Sequence, residues 1–192
     1  MIDQMQNKKI IFIHGYMASP QINFYPAISK KLDELGVDYV IPTLPGHKHP
    51  KSKEWLEIID REVKASKRPV ILVGHCLSTR AILLYLNKYE QRVDTIILVA
   101  PFNNDFKTNA NRNEGRYAGF FEEKLDIEKI KRLVNKFIVI HSLDDTTIPF
   151  AEGEKMALDL SASLVSLNGR NHFCNPEDAD DIYKVLAGNL LG

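Results

Sequence analysis

The chain alternates short apolar runs with segments whose apolar residues recur at helical spacing. The apolar runs are rich in β-branched residues and bounded by turn formers, so they predict strands at Lys9–His14, Asp38–Pro42, Pro69–Gly74, Asp94–Ala100, Lys136–His141 and Ser163–Leu167. The amphipathic segments predict helices at about Phe24–Leu35, Ser52–Ser66, Leu77–Lys88, Asp126–Val134, Ala151–Leu160 and Pro176–Leu190.

Several predicted strands are apolar on both faces, as in residues 10–13 and 95–99. A strand that is buried on both sides is typical of a parallel sheet covered by helices on both faces. Right-handed crossovers join strands that alternate with helices in this way. The pattern therefore predicts an α/β fold, a three-layer, doubly wound, mostly parallel six-stranded sheet. No internal repeat or interdomain linker interrupts it, so we expect one domain over residues 1–192.

One long stretch, Pro101–Leu125, lacks both helical and strand periodicity. It is rich in asparagine and carries several aromatic residues, namely Phe102, Phe106, Tyr117, Phe120 and Phe121. Loops of this length in compact domains are often active-site lids, so residues 101–125 are a candidate small lid. The same stretch fits a polar surface loop whose aromatic side chains fill the core, and at this point both interpretations stay open.

The balance of charged residues bears on which classes of binding partner the protein can have. Lysine and arginine together number 25, as do aspartate and glutamate, and no long run carries one sign of charge. This balance argues against nucleic acid or an anionic membrane as the main partner. No window of about 18 apolar residues indicates a membrane span. The polar first residues lack the apolar core of a signal peptide, and two cysteines make no disulfide framework, so we expect a cytoplasmic protein with reduced thiols.

Cys76 occupies the position of a nucleophile. Residues 69–79 begin with an apolar strand, continue through a tight turn and enter a helical pattern. This is the layout of the G-x-S-x-G nucleophile elbow, and residues 74–78 read G-H-C-L-S. Such a turn exposes the central side chain above the sheet, and a neighbouring helix N-terminus and histidine favour a thiolate. The alternative interpretation is a small, inert, buried cysteine at a strand end.

Nucleophilic acyl transfer also needs a base, a carboxylate that orients the base, and donors for the oxyanion. On an elbow of this kind the chain order is nucleophile, acid, base. Asp144 and Asp145 follow the next strand but one after Cys76, and His172 lies in a loop after the last strand. The carboxyl ends of parallel strands meet at the edge where such sheets bind ligands. Each residue alone is typical of solvated surface, but all of them in this order indicate a catalytic triad.

These motifs give the chain a resemblance to the α/β-hydrolase superfamily over nearly its whole length. Its small size, without a large cap domain, resembles the compact group of retinoblastoma-binding protein nine and the bacterial YdeN-like serine hydrolases. The matching segments are the Ile-His-Gly of 13–15, the Leu-Pro-Gly-His of 44–47, the elbow, the acid loop 144–149 and the Asn-His-Phe of 171–173. That group carries serine where this chain has Cys76. It carries glycine where this chain has Ser78, so we expect a modest distortion of the elbow.

The resemblance implies a role for each site residue. It selects Asp145 over Asp144 as the acid, because the family's acid stands four residues before the proline of this loop. It implies His172 as the base and the backbone N–H groups of Tyr16 and Leu77 as oxyanion donors. It also implies the strand order 2-1-3-4-5-6 and a reaction that needs no metal and no organic cofactor.

The expected function is hydrolysis of a small carboxylic ester, thioester or related acyl compound by a Cys-His-Asp triad. Two alternatives use the same residues: a catalytically weak, hydrolase-like binding module, and an acyltransferase. The change from serine to Cys76 and the lost glycine favour the binding module, whereas the intact Asp145 and His172 argue against it. The expected partner is a small-molecule acyl substrate, and nothing in the sequence indicates a protein partner.

Overall fold

A computed structural model describes residues 3–103 and 116–188 of the chain. Its strands are β1 (Lys9–Ile13), β2 (Tyr39–Val40), β3 (Val70–His75), β4 (Val93–Val99), β5 (Val134–Ser142) and β6 (Ser163–Leu167). They form one six-stranded sheet in the order β2-β1-β3-β4-β5-β6, and every neighbouring pair is parallel. The predicted fold class and strand order are confirmed.

Helices cover both faces of this sheet. They are α1 (Asp3–Gln6), α2 (Tyr25–Glu34), α3 (Ser52–Ala65), α4 (Leu77–Tyr89), α5 (Ile127–Arg132), α6 (Phe150–Leu160) and α7 (Asp178–Leu186), with a 3₁₀ turn at Ala118–Phe120. Side chains alternate along each strand, so Ile11 and Ile13 belong to the core on the face covered by α3, α4, α5 and α6. Ile10 and Phe12 belong to the core on the face covered by α2 and α7. The two cores on opposite faces make the predicted three layers.

Helix α4 lies in the centre of one layer, and every residue from Leu77 to Asn87 is buried. A helix that is apolar around most of its circumference needs neighbours on all sides. Here it contacts β3, α3, α5 and the 3₁₀ turn. The first residue of this well-packed helix follows Cys76 directly, so the position of the elbow is fixed by the core.

The element ends differ from the prediction in physically clear ways. Strand β2 keeps only two ladder residues, Tyr39 and Val40, at one edge of the sheet, and both are half-buried. Helix α5 ends at Arg132, two residues before the predicted end, because Val134 already pairs with Val93 as the first residue of β5. Asp126 caps α5 by accepting the Lys129 N–H at 2.9 Å.

The candidate lid is only partly within the described residues. Residues 104–115, and with them Phe106, lie outside the part of the chain that the structure describes. In the rest of the segment Phe120 is fully buried against Trp55, with ring centroids 5.1 Å apart. Phe121 is half-buried and lies 5.5 Å from the ring of Phe102. Phe120 therefore fits the core-filling interpretation. Among the aromatic residues of this segment that the structure describes, Phe121 is the one that is not buried.

Over residues 3–103 and 116–188, no helix combines the length and the apolar character that crossing a membrane requires.

Candidate active site

Cys76 sits on a strained turn between β3 and α4. Its φ of 57° and ψ of −123° lie in a region that L-residues rarely adopt, at a cost of about 1–3 kcal/mol. The surroundings hold it there: the Cys76 N–H donates to the Val99 carbonyl at 3.0 Å, and the Cys76 carbonyl accepts the N–H and the hydroxyl of Thr79. The turn is the sharp strand-to-helix elbow that a nucleophile needs, and Cys76 is half-buried at its tip.

Two glycines let other chain segments approach this elbow. A Cβ on Gly74 would lie 3.1 Å from the backbone nitrogen of Thr79 and 3.2 Å from the carbonyl carbon of Ser78, so glycine lets β3 lie close to the first turn of α4. A Cβ on Gly15 would lie 3.0 Å from the His75 carbonyl and 3.2 Å from Cys76 Cβ. The turn that follows β1 therefore touches the elbow directly, which brings the next residue, Tyr16, to the nucleophile.

The two predicted oxyanion donors flank Cys76. Leu77 begins α4, so its N–H has no acceptor within the helix. The Tyr16 N–H has no acceptor anywhere in residues 3–103 and 116–188. The Tyr16 side chain is held at both ends, because its hydroxyl donates to the Lys48 carbonyl at 3.1 Å and its ring packs edge-on against Tyr117. This arrangement leaves two fixed backbone donors beside the thiol.

Ser78 replaces the last glycine of the motif and is fully buried. Its hydroxyl accepts the His75 N–H at 2.8 Å and lies 2.5 Å from the Ile13 carbonyl and 2.9 Å from the His75 carbonyl. Where the sequence predicts a modest distortion, the structure shows a hydroxyl bonded to backbone groups of both β1 and β3. Ser78 thus ties the elbow to the strand that leads into the oxyanion turn, and its hydroxyl does not face the cleft.

Asp145 is the buried acid next to His172. One carboxylate oxygen, Oδ2, lies 2.8 Å from His172 Nδ1 and 3.3 Å from His141 Nε2, while Oδ1 accepts the N–H groups of Thr147 and Ile148, both at 2.8 Å. Burial alone would raise the pKa of Asp145, but the hydrogen bonds from the two histidines and the charge of His172 hold this pKa well below its usual range. Asp145 therefore stays a carboxylate.

Asp144 has a different place. It is exposed, and its Oδ1 accepts the Gly169 N–H at 2.9 Å, the Asn171 N–H at 3.2 Å and the Ser142 hydroxyl. These bonds attach the loop that carries His172 to the loop that carries the acid. The sequence gives no signal for this role, because the partners lie 25 and 27 residues further along the chain.

His172 is the cationic member of the site. Burial would lower the pKa of His172, but the hydrogen bonds with Asp145 and Cys76 and their negative charges outweigh burial and raise this pKa to about 10. Because Nδ1–H donates to Asp145, Nε2 is the ring nitrogen left for the thiol. The arrangement favours an imidazolium beside Cys76 at neutral pH.

Cys174 is a second thiol near the site, and it is exposed. It lies 3.5 Å from the His172 carbonyl, to which its S–H donates. Neighbouring protein atoms partly desolvate its sulfur although the residue is exposed, and this desolvation with the charge of Cys76 raises the pKa of Cys174 to about 11. This thiol therefore stays protonated at neutral pH. Of the two cysteines, Cys76 is the one that stands on the strand-to-helix elbow.

The fold and this site define an α/β hydrolase, an enzyme class in which the nucleophile stands on a strand-to-helix elbow. The family model described as serine hydrolase matches residues 10–181, and the chain belongs to this family.

The chain is similar to several known proteins. It is 29% identical to YdeN of Bacillus subtilis (strain 168) over 184 residues, covering 93% of this chain and 94% of YdeN. It is 27% identical to the serine hydrolase RBBP9 of Rattus norvegicus over 155 residues, 80% of each chain. The crystal structure of the B. subtilis ydeN product superposes with a TM-score of 0.83, at 28% identity, over 95% of this chain and 98% of that one. The resemblance inferred from the motifs is confirmed.

Proposed function

We propose that the protein hydrolyses a small carboxylic ester, thioester or related acyl compound, with Cys76 as the nucleophile. The observation that carries the proposal is the 2.8 Å bond between His172 Nδ1 and Asp145 Oδ2, beside a cysteine on a strained elbow. A buried acid that orients a histidine, next to a nucleophile and free N–H donors, is the constellation that acyl transfer needs.

We infer that the proton shared by the pair lies on His172, which leaves the Cys76 sulfur as the nucleophile. The raised pKa of His172 supports this state, because Asp145 stabilises the imidazolium. A thiolate is the reactive form of cysteine, so the pair needs no further activation before attack. This differs from a serine site, where the base has to remove the proton during the attack.

The first half of the reaction forms a thioester. Cys76 Sγ attacks the acyl carbon, and the carbonyl electron pair moves onto oxygen. The N–H groups of Tyr16 and Leu77 stabilise that oxyanion, and one such donor is worth about 3 kcal/mol of barrier. The intermediate then collapses, the bond to the alcohol or thiol breaks, and His172 gives its proton to the leaving group.

The second half restores the enzyme. Neutral His172 takes a proton from water as the water oxygen attacks the thioester carbon. The tetrahedral intermediate collapses, the carboxylic acid leaves, and Cys76 departs as a thiolate beside the protonated His172. Asp145 holds Nδ1–H throughout, so Nε2 is the atom that gives and takes the proton in both halves.

The test is the hydrolysis of a short-chain p-nitrophenyl ester by variants at Cys76. Cys76→Ala should abolish turnover, and Cys76→Ser should leave little of it, because an alcohol is far less acidic than a thiol with a pKa near 8.5. Cys174→Ala is the matched control, since it removes the other thiol and should keep near-wild-type kcat.

Other outcomes of this test separate the alternatives. A large rise in activity for Cys76→Ser would mean that the site is built for serine. Equal, low rates for wild type and both Cys76 variants would indicate a binding module instead of an enzyme using this residue.

A further inference from the structure

His75, the residue before the nucleophile, has a side chain that the proposed chemistry does not use. His75 is 3% exposed, and its ring lies 5.6 Å from the ring of Phe24, edge to face. Its Nε2 lies 2.8 Å from the backbone carbonyl of His172. A carbonyl only accepts hydrogen bonds, so the ring proton is on Nε2 and His75 donates it to the base loop.

This arrangement carries an energetic cost. With the proton on Nε2, His75 Nδ1 is an acceptor, and within residues 3–103 and 116–188 that buried atom has no hydrogen-bond partner. A buried polar atom without a partner costs about 1–3 kcal/mol. Burial also lowers the pKa of His75 to about 3, so the ring stays neutral and its one proton stays available. An apolar side chain of similar size would avoid the cost but would lose the bond to His172.

The base loop needs such an anchor. His172 stands between two residues with left-handed backbone, Asn171 with a φ of 45° and Phe173 with a φ of 54°. One side of the loop is tied to the acid loop, because the Asn171 side-chain oxygen accepts the Thr146 N–H at 3.0 Å. The bond from His75 links the His172 backbone to the elbow, since His75 is covalently joined to Cys76.

We propose that His75 is a positioning residue that sets the distance between the His172 ring and the Cys76 thiol by holding the His172 carbonyl. This rests on the proposed function of Cys76 and His172. A misplacement of a catalytic group by about 1 Å lowers turnover about 100-fold, so a single hydrogen bond at this point has a measurable effect.

The experiment compares three variants of the full chain. His75→Gln keeps a donor at the position of Nε2, His75→Leu keeps bulk without a donor, and His75→Asn keeps an amide that is one carbon too short. For His75→Leu we expect kcat to fall about 100-fold with KM within about twofold and an unchanged or higher Tm. His75→Gln should stay within about threefold of wild type, and His75→Asn should resemble His75→Leu.

A second readout keeps this test separate from the proposed function. The rate at which iodoacetamide alkylates Cys76 at neutral pH reports the coupling of thiol and imidazole even if no ester is turned over. It should fall about tenfold in His75→Leu and be restored in His75→Gln. Equal losses in the Leu and Gln variants, or a His75→Leu variant within threefold of wild type in both readouts, would overturn the proposal. If His75→Leu does not fold, the contrast between Gln and Asn decides in the same way.

Discussion

Asp145 and Asp144 are adjacent and equally charged but lie in different surroundings. They therefore form a matched pair for testing which aspartate orients His172. In Asp145→Asn the amide oxygen can still accept the N–H groups of Thr147 and Ile148, but an NH₂ group replaces the oxygen that faces His172. His172 Nδ1 must then accept instead of donate. Its proton moves to Nε2, and the ring cannot take a proton from Cys76.

The magnitude follows from the pKa of His172. A rise from 6.5 to about 10 stabilises the imidazolium by about 5 kcal/mol, shared between Asp145 and Cys76. If Asp145 supplies most of this, Asp145→Asn should lower kcat on a p-nitrophenyl ester by about 10³-fold. That is less than the about 10⁴-fold known for the same change in a serine triad, because a thiol still ionises alone near pH 8.5.

Alkylation of Cys76 by iodoacetamide gives a second readout. In wild type, His172 is cationic at neutral pH, so alkylation there should be faster than in Asp145→Asn, which lacks the carboxylate that stabilises the imidazolium. Asp144→Asn removes the same charge but keeps an oxygen that accepts from Gly169 and Asn171, so it should stay close to wild type. Asp144→Asn falling as far as Asp145→Asn, or Asp145→Asn staying within threefold of wild type, would refute this reasoning.

Three further expectations concern stability and specificity. The pKa of His172 is raised in the folded state, so its bond with Asp145 stabilises the fold in full below pH 6.5, and this stabilisation is lost as the pH rises through about 10. The difference in Tm between wild type and Asp145→Asn, measured in thermal melts, should therefore shrink between these two pH values. Gly153→Ala would place a Cβ inside the imidazole of His141, which contacts Asp145. Urea melts should then show a loss of about 2 kcal/mol or more in the free energy of unfolding, and an unchanged midpoint would contradict this packing. Phe120→Ala should lower the free energy of unfolding by about 3–5 kcal/mol, because this ring is fully buried. Phe121→Ala should cost less stability and should change the acyl-chain length that the enzyme prefers in ester kinetics. A larger loss of stability for Phe121→Ala than for Phe120→Ala would contradict the burial of the two rings.

The sequence predicts the parts of the structure that follow from hydrophobic periodicity and from short local motifs. Strands buried on both faces predict the parallel sheet and its layers, and the G-H-C-L-S run predicts a strand-to-helix turn whose φ of 57° at Cys76 the structure shows. The order of the motifs predicts that an aspartate of the pair at 144 and 145 lies near His172, and the family resemblance selects Asp145. Asp145 Oδ2 lies 2.8 Å from His172 Nδ1. These features depend on periodicity and on the common edge of a parallel sheet.

The contacts that the sequence does not predict depend on partners far away along the chain. The hydroxyl of Ser78 finds the carbonyl of Ile13, 65 residues earlier, and this turns an expected distortion into an attachment. Asp144 binds a loop that only the packing of β6 beside β5 brings near it. The composition of residues 101–125 fits a lid and a core-filling loop equally well. Only the contact of Phe120 with Trp55 shows that the Phe120 side chain fills the core.

The central claim is that the acyl group passes through Cys76. The most direct measurement is mass spectrometry of the protein, quenched in acid during turnover of p-nitrophenyl acetate and then digested. The account predicts one added acetyl group on the peptide that contains Cys76, released by hydroxylamine and absent from Cys76→Ala. An acetyl group found on Ser78 instead, or undiminished turnover by Cys76→Ala without any adduct, would contradict it.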